Sequence, residues 1–362
     1  MAWHVLSSTY FDFPDFARNA ADDLSPEHVL PRVAERLGGD ISQPADGQRE
    51  PSLVDRLAAR LYGQPMHWEL ARRVVGRVEP GDSVYAAGCD SGVPLALLCA
   101  LRRRRASFAI SFIDVNRRRT QLVGWLLVLL RVRLLILVPT EQQADDARRS
   151  FGRFAAGIHS IDGMTDTAFF RPLAERPVNT PPLIAGSGVE QRDYETMGLA
   201  LADADVTVEV CFASPNRSDK TRYTMPEPVP ANMTFEHLDF AALRSLYQRA
   251  DVMVLAVKEN RYSAGLTTLF EAIACAAPVV VTRSTGIIDR LVAEDLLVGV
   301  PPASPDLLRQ AVDEVLADRK GSADRADRAR QILLERYSST AFLDRLDDML
   351  RDFIGERRAV AG

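Results

Sequence analysis

An α/β fold built from two doubly wound domains is what this sequence predicts, on three observations. Short apolar runs alternate with helix-length amphipathic segments, the pattern of βα units on a parallel sheet. That alternation stops at a proline-rich stretch, Arg176–Pro182, and then restarts. The chain has 362 residues, 47% of them hydrophobic, which is ample apolar material for two cores. Ordinary glycine and proline content together with 26% charged residues exclude disorder, a collagen-like repeat and a disulfide scaffold.

The elements follow in order. In the first half, strands are expected at His4–Ser7, Ser83–Ala87, Phe108–Ile113 and Leu134–Val138, and helices from the Ser25-Pro26 start to Arg36 and near Trp68–Val78. Leu122–Val138 is nearly all apolar, but Arg131 and Arg133 interrupt it, which argues against a membrane span and slightly favours a core helix feeding a strand. The three prolines of Arg176–Pro182, with no apolar period, read as a linker. Beyond it come strands Leu183–Ala185, Thr207–Phe212, Val252–Ala256 and Val279–Thr282, interleaved with helices around Tyr194–Ala202, Phe240–Arg249 and Leu266–Ala276. Ser304-Pro305 opens a helix to Ala317, and two further helical stretches end the chain. The domains expected are 1–175 and 176–335, with 336–362 a terminal helix packing back on the first.

Charge and cysteine usage narrow the setting. The net charge is −5, yet residues 102–133 carry nine arginines against one acid, Asp114. Such a stretch is either a solvated face or a surface for an anionic partner. Cys89, Cys99, Cys211 and Cys275 have no CxxC spacing, and no charged-then-apolar leader precedes residue 25. A reducing, cytoplasmic setting without structural zinc is expected. Only Lys220, Lys258 and Lys320 are lysines among 44 basic residues, a bias that fits GC-rich bacterial coding.

Two constellations carry chemistry. From Gly265 to Val281 the sole charge is Glu271, so its carboxyl either has a buried partner or sits on a solvent face that its neighbours do not outline. Just upstream, Ser263, Ala264, Gly265, Leu266, Thr267 and Thr268 open the same helix with small residues, where free backbone N–H groups favour an anion such as phosphate. A second turn, Gly186-Ser187-Gly188, follows a strand and leads through Arg192 into a helix. Arg192 offers either a fork of donors to phosphate or a structural ion pair. Asp203 and Asp205 have the spacing of a metal-binding pair but lie in a polar turn, and no metal is expected. The five histidines are isolated and read as structural or solvated.

These pieces resemble the C-terminal domain of the GT-B glycosyltransferases, specifically the retaining group 1, family 4 enzymes. The carrying segments are Ile158–Pro172 (IHSIDGMTDTAFFRP), Tyr247–Ala256 (YQRADVMVLA) and Ser263–Thr282 (SAGLTTLFEAIACAAPVVVT) followed by Gly286. They span roughly residues 134–340; the first 130 residues match in layout only. The resemblance implies two Rossmann-like domains facing each other across a cleft, with a nucleotide sugar, a UDP-sugar ahead of a GDP-sugar, on the second and a small-molecule or lipid acceptor on the first. It implies that Glu271 binds the ribose hydroxyls, that the turn at Gly188 and Arg192 contacts the diphosphate with the Gly265–Thr268 backbone, and that transfer proceeds with retention and without metal. Ser263 stands where the family has an acid, Glu259 is four residues early, and Val189 replaces an arginine often found beside the glycine. Asp114, at a strand end, is the residue expected to contact the acceptor hydroxyl, with a simple strand-end cap as its alternative. The 102–133 stretch matches the arginine-rich surfaces through which several such enzymes dock peripherally on anionic membranes, and no nucleic acid is expected. Ser263 leaves open a scaffold that has lost catalysis, or a sugar-nucleotide epimerase. A rival from another class is a methyltransferase, with S-adenosylmethionine at the turn Gly81–Gly92 after a first strand.

Overall fold

The structure is a computed structural model and describes residues 2–45, 50–113, 115, 117–152, 157–212, 223–259, 264–284 and 286–360. The chain forms two compact units, one of Met1–Ala17, His28–Asp162 and Phe342–Gly362, the other of Arg18–Glu27 and Gly163–Ala341.

The first unit is a six-stranded, all-parallel sheet in the order β2-β1-β3-β4-β5-β6. Its strands are β1 (Trp3–Leu6), β2 (Asp40–Ser42), β3 (Ser83–Ala86), β4 (Ser107–Ser111), β5 (Arg133–Val138) and β6 (Gly157–Ser160). Side chains alternate across the sheet as a strand requires. Val84, Phe108, Ile110, Leu134 and Ile136 point to one face, where they meet α4 (Pro65–Val74), α5 (Cys89–Leu101), α6 (Arg118–Leu129) and α7 (Glu141–Phe151). Tyr85, Ala109, Leu135 and Leu137 point to the other, covered by α2 (Val29–Leu37) and by the C-terminal helix α14 (Ser339–Val360) through Leu343, Leu346, Leu350 and Phe353. Helices on both faces explain why the strands read as continuous apolar runs. The shorter helices α1 (Phe13–Ala21) and α3 (Leu53–Ala58) had no clear sequence signal.

The second sheet is also six-stranded and parallel, in the order β11-β9-β7-β12-β13-β14. It contains β7 (Leu183–Ser187), β9 (Thr207–Cys211), β11 (Met233–Glu236), β12 (Val252–Leu255), β13 (Val279–Thr282) and β14 (Val298–Val300). A two-residue β8 (Arg192–Asp193) pairs separately with β10 (Tyr223–Thr224). Helices α9 (Phe240–Arg249), α10 (Leu266–Ala274), α11 (Ile287–Ala293) and α13 (Arg319–Arg336) cover one face; α8 (Tyr194–Leu201) and α12 (Pro305–Ala317) cover the other.

The units part at 162/163, not at the expected 175/176, because Phe169 and Phe170 are buried in the second core. The proline-rich stretch is likewise docked rather than a free spacer. Arg176 donates to the carbonyl oxygens of Ala250, Cys275 and Ala276, where α9 and α10 end, and Asn179 donates to Arg249 and Asp251. Helix α6 turns Val123, Gly124 and Leu127 inward, as a core helix should, but leaves Leu122, Trp125 and Leu129 exposed.

All three tryptophans, Trp3, Trp68 and Trp125, lie in the first unit, so tryptophan fluorescence follows that unit alone. Leu350, fully buried on α14, gives a direct test of the C-terminal helix. Leu350→Ala is expected to lower the stability read by tryptophan fluorescence in a urea titration by about 2–5 kcal/mol; an unchanged transition would separate α14 from the first core.

Candidate functional site

In an open parallel sheet, ligands bind beyond the carboxyl ends of the strands where the winding reverses. In the second unit that point lies between β7 and β12, because the chain winds from β7 out to β11 and returns to β12. The turn leaving β7 is held open by Gly188, whose φ of +94° suits only glycine, and a side chain there would overlap the Arg192 guanidinium. Tyr194 donates from its hydroxyl to the Gly188 carbonyl at 2.6 Å. Arg192 bridges to Val257 at the exit of β12, and the Asp193 N–H donates to Ala256, so the arginine backbone is fixed between the two strands. Asp193 itself is structural: it caps α8 by accepting from the Thr196 N–H and also accepts from the Thr224 hydroxyl.

The Arg192 side chain is buried at 4% exposure, and its hydrogen bonds among the described residues go to no carboxylate. Its Nε donates to Ser187 O at 2.7 Å, Nη1 to Glu190 O at 2.8 Å and Nη2 to the Thr268 hydroxyl at 3.0 Å. Burial lowers its pKa from the ordinary arginine value, but a guanidinium keeps its charge in a protein. The result is a fixed cation with neutral partners, in surroundings where a charge acts strongly on what comes near.

The second half of the site is the start of α10. Gly265, with φ +89°, is the N-cap of the helix and has no side chain to cap it. A Cβ at 265 would lie 3.1 Å from Leu255 Cδ1 and 3.2 Å from Arg192 Nη1, so the guanidinium runs between the Gly188 and Gly265 turns. The Leu269 N–H is paired with Gly265 O at 2.9 Å, leaving the first-turn N–H groups and the positive end of the helix dipole directed outward. Thr268 is buried against Arg192, Ala264 is buried, Leu266 is half-buried, and Thr267 is exposed. Ser263 and Asp114 lie outside the described residues.

Glu271, on the next turn of α10, is buried at 8% exposure, which removes the reading of an ordinary solvent-facing glutamate. The Tyr247 hydroxyl on α9 donates to its Oε2 at 3.1 Å. Burial pushes the Glu271 carboxyl up to about 8, against the opposing pull of Tyr247 and Arg192, so it is largely protonated at neutral pH. Sequence reasoning missed Tyr247, although a tyrosine among the apolar residues of a helix carries the signal that a buried hydroxyl needs a partner. It also missed Ser187, whose carbonyl holds Arg192 and whose hydroxyl bonds Tyr247.

The other candidates fall elsewhere. Asp203 and Asp205 are exposed in the turn after α8, at the opposite end of that helix from Arg192. Among the described residues no group of three or more His, Cys, Asp or Glu is arranged to hold a metal ion. The methyltransferase reading needs a glycine turn after a first strand, but Ser83–Ala86 is β3, with β1 and β2 before it. Its glycines have packing reasons: a Cβ at Gly92 would come 2.7 Å from Ala86 Cβ, and one at Gly88 would strike the Ser8 hydroxyl. His67 is structural, with Nδ1 accepting from the Gln64 N–H and Nε2 therefore donating to Ser8 O.

Comparison with known proteins agrees with this geometry. The family of "Glycosyl transferases group 1" matches residues 183–318, which include Arg192, Gly265 and Glu271. A comparison with curated protein sequences finds no match. Among solved structures, sucrose-phosphate synthase from Thermosynechococcus elongatus superposes with a TM-score of 0.71 at 15% identity, covering 98% of this chain and 100% of that one. Anabaena HepE, solved in complex with UDP and glucose, gives 0.62 at 13% identity over 96% of this chain and 99% of its own. A UDP-forming α,α-trehalose-phosphate synthase from Burkholderia vietnamiensis gives 0.61 at 11% identity over 97% and 100%. The chain thus has the GT-B fold, and its residues 183–318 are similar to the group 1 glycosyl transferases.

Proposed function

We propose that this protein transfers a sugar from a nucleotide-diphosphate sugar, a UDP-sugar first among the candidates, to an acceptor hydroxyl, with retention at the anomeric carbon and without a bound metal. The observation that carries this reading is Arg192: a buried cation whose three hydrogen bonds among the described residues go to neutral partners, set between two glycine turns beside the first turn of α10. A diphosphate is the ligand such a place suits. Glu271, one turn deeper, would take the ribose hydroxyls. The structural likeness to HepE, solved with UDP and glucose, supports UDP as the first base to try.

In the reaction, the acceptor oxygen bonds to the anomeric carbon while the bond from that carbon to the β-phosphate oxygen breaks. Its electron pair leaves with the nucleoside diphosphate. The acceptor proton passes to that departing phosphate on the same face of the sugar, so no enzyme nucleophile is required. Arg192 and the first-turn N–H groups of α10 would stabilise the growing phosphate charge from fixed positions, with little reorganisation at the moment of transfer. Asp114 is the residue proposed, from the sequence, to contact the acceptor hydroxyl.

The same reading places the first unit against an anionic membrane surface, which would serve a lipid acceptor. Its support is the exposed stripe of Leu122, Trp125 and Leu129 on α6, at 63%, 47% and 77% exposure. Beside the end of that helix, Arg103, Arg104, Arg105, Arg131 and Arg133 line a cavity of about 680 Å³. Apolar insertion and basic residues, each worth about 1 kcal/mol near an anionic surface, act together in such docking. No helix among the described residues is long and apolar enough to cross a membrane.

Two experiments test these readings. In a thermal-shift panel with UDP, GDP, ADP, dTDP and S-adenosylmethionine, one nucleoside diphosphate is expected to raise the melting temperature. Arg192→Lys, which keeps the charge but loses the fork, should weaken that ligand about tenfold or more, and Glu271→Ala should abolish the shift. A shift with S-adenosylmethionine alone would sink the glycosyltransferase reading and move the site to Gly88–Gly92. In co-sedimentation, binding to vesicles should rise with the fraction of anionic lipid and fall when Leu122 and Trp125 are replaced by serine; binding independent of anionic lipid would remove the membrane reading.

A further inference from the structure

We infer, resting on the donor-site reading above, that Tyr247 is a positioning residue for the nucleotide sugar: its hydroxyl fixes the buried Glu271 carboxyl in one orientation, and donor binding to that carboxyl releases a proton over a pH range that Tyr247 sets. The two side chains come from different helices, α9 and α10, and meet at 3.1 Å. Tyr247 is fully buried, and its ring lies 6.1 Å from that of Phe170, so its hydroxyl is held by packing. The Ser187 hydroxyl lies near the Tyr247 oxygen, and the tyrosine hydroxyl donates to Glu271. The Ser187 carbonyl accepts from Arg192 Nε at 2.7 Å. One residue thus ties the carboxyl relay to the guanidinium that would meet the diphosphate.

Among the described residues, the charged and titratable groups around Glu271 are these. Tyr247 faces it from α9 and Arg192 from β8; Cys275 lies one turn on along α10, and Cys211, on β9, lies near Tyr247. Arg176, Arg244 and Arg330 act electrostatically on Cys275. Burial raises Cys275 to about 12 and Tyr247 well above its usual value, so both stay protonated through the neutral range. Arg192 is near enough to act on Glu271 electrostatically, but its three hydrogen bonds go to Ser187, Glu190 and Thr268.

The coupling follows from what each form of the carboxyl can accept. The protonated acid offers one good acceptor oxygen, whereas the carboxylate accepts from both oxygens. Two ribose hydroxyls together with Tyr247 make three donors, a set that favours the ionised form. The carboxyl proton therefore leaves to solvent as the donor binds. Because the empty-site carboxyl titrates near pH 8, affinity should climb with pH by up to tenfold per unit below that point and level off above it.

The test is calorimetric titration with UDP-glucose between about pH 6 and 8.5, in two buffers of different ionisation enthalpy; its diphosphate stays ionised throughout this range. GDP-mannose and ADP-glucose are run in parallel. The wild type should release close to one proton per ligand at the lower pH. Glu271→Gln should bind more weakly, with a flat profile and no release. Tyr247→Phe removes a donor that favours the carboxylate, so its plateau should move to higher pH, with a loss of about tenfold at pH 7 that shrinks at pH 8.5. A purely structural role for Tyr247 would weaken binding equally at every pH. Binding with a flat wild-type profile and no proton release, or a pH-independent loss in Tyr247→Phe, overturns the inference and leaves the donor reading standing. No binding of any of the three at any pH sinks the donor reading and the inference with it.

Discussion

Everything in the second unit's site is arranged around one buried guanidinium. Arg192 is 4% exposed and donates to two carbonyls and a hydroxyl. A cation removed from water is costly unless the surrounding dipoles are already oriented to receive it. Here that orientation comes from three separate segments: the turn after β7, the short β8 and the first turn of α10. Both glycines follow from the same constraint, since the planar fork leaves no room for a Cβ at 188 and only a tight one at 265. The carbonyl of Gly188 is fixed in turn by Tyr194, which ties the turn to α8.

The sheet topology supplies the location. Winding outward from β7 and returning to β12 leaves a gap at the carboxyl ends of those two strands, and the Val257 bridge and the Asp193–Ala256 hydrogen bond seat Arg192 in it. The second core also takes in Phe170, which precedes the sheet in sequence, and Tyr337, which follows it. Phe170 packs against Tyr247, Phe270 stacks on Tyr337 at 4.7 Å, and Arg290 bonds the Tyr337 hydroxyl. The helix that carries Glu271 is thereby held along its length, and the depth of the carboxyl follows from the rigidity of that packing.

Burial also sets the chemistry of Glu271. A carboxyl in this place without an ion pair is more stable as the acid, and only added hydrogen-bond donors can reverse that preference. Tyr247 supplies one such donor in the empty site. In the first unit the lining differs: Arg103, Arg105 and Arg131 are exposed around an open cavity, while Arg104 donates to the Val78 carbonyl and Arg133 to the Phe353 carbonyl.

Much of this was legible in the sequence. The βα alternation, the glycine turns, Arg192 and the lone Glu271 could be read because they depend on local propensity, on φ > 0 positions and on charge set in an apolar run. The short elements β2, β6, β8, β10, β11, β14 and α3 were not, since segments of two to six residues carry too little period to stand out. Nor were the unit boundaries legible: prolines marked Arg176–Pro182 as a spacer, but Arg176 binds three carbonyls at the ends of two helices that come about 70 to 100 residues later. The sequence by itself determined which residues could serve an anion and a ribose. Only the tertiary structure decided that Arg192 lies between Gly188 and Gly265, that Tyr247 holds Glu271, and that α14 belongs to the first core. The physical reason is the same in each case: these are contacts between groups distant in the chain, fixed by packing that no local pattern encodes.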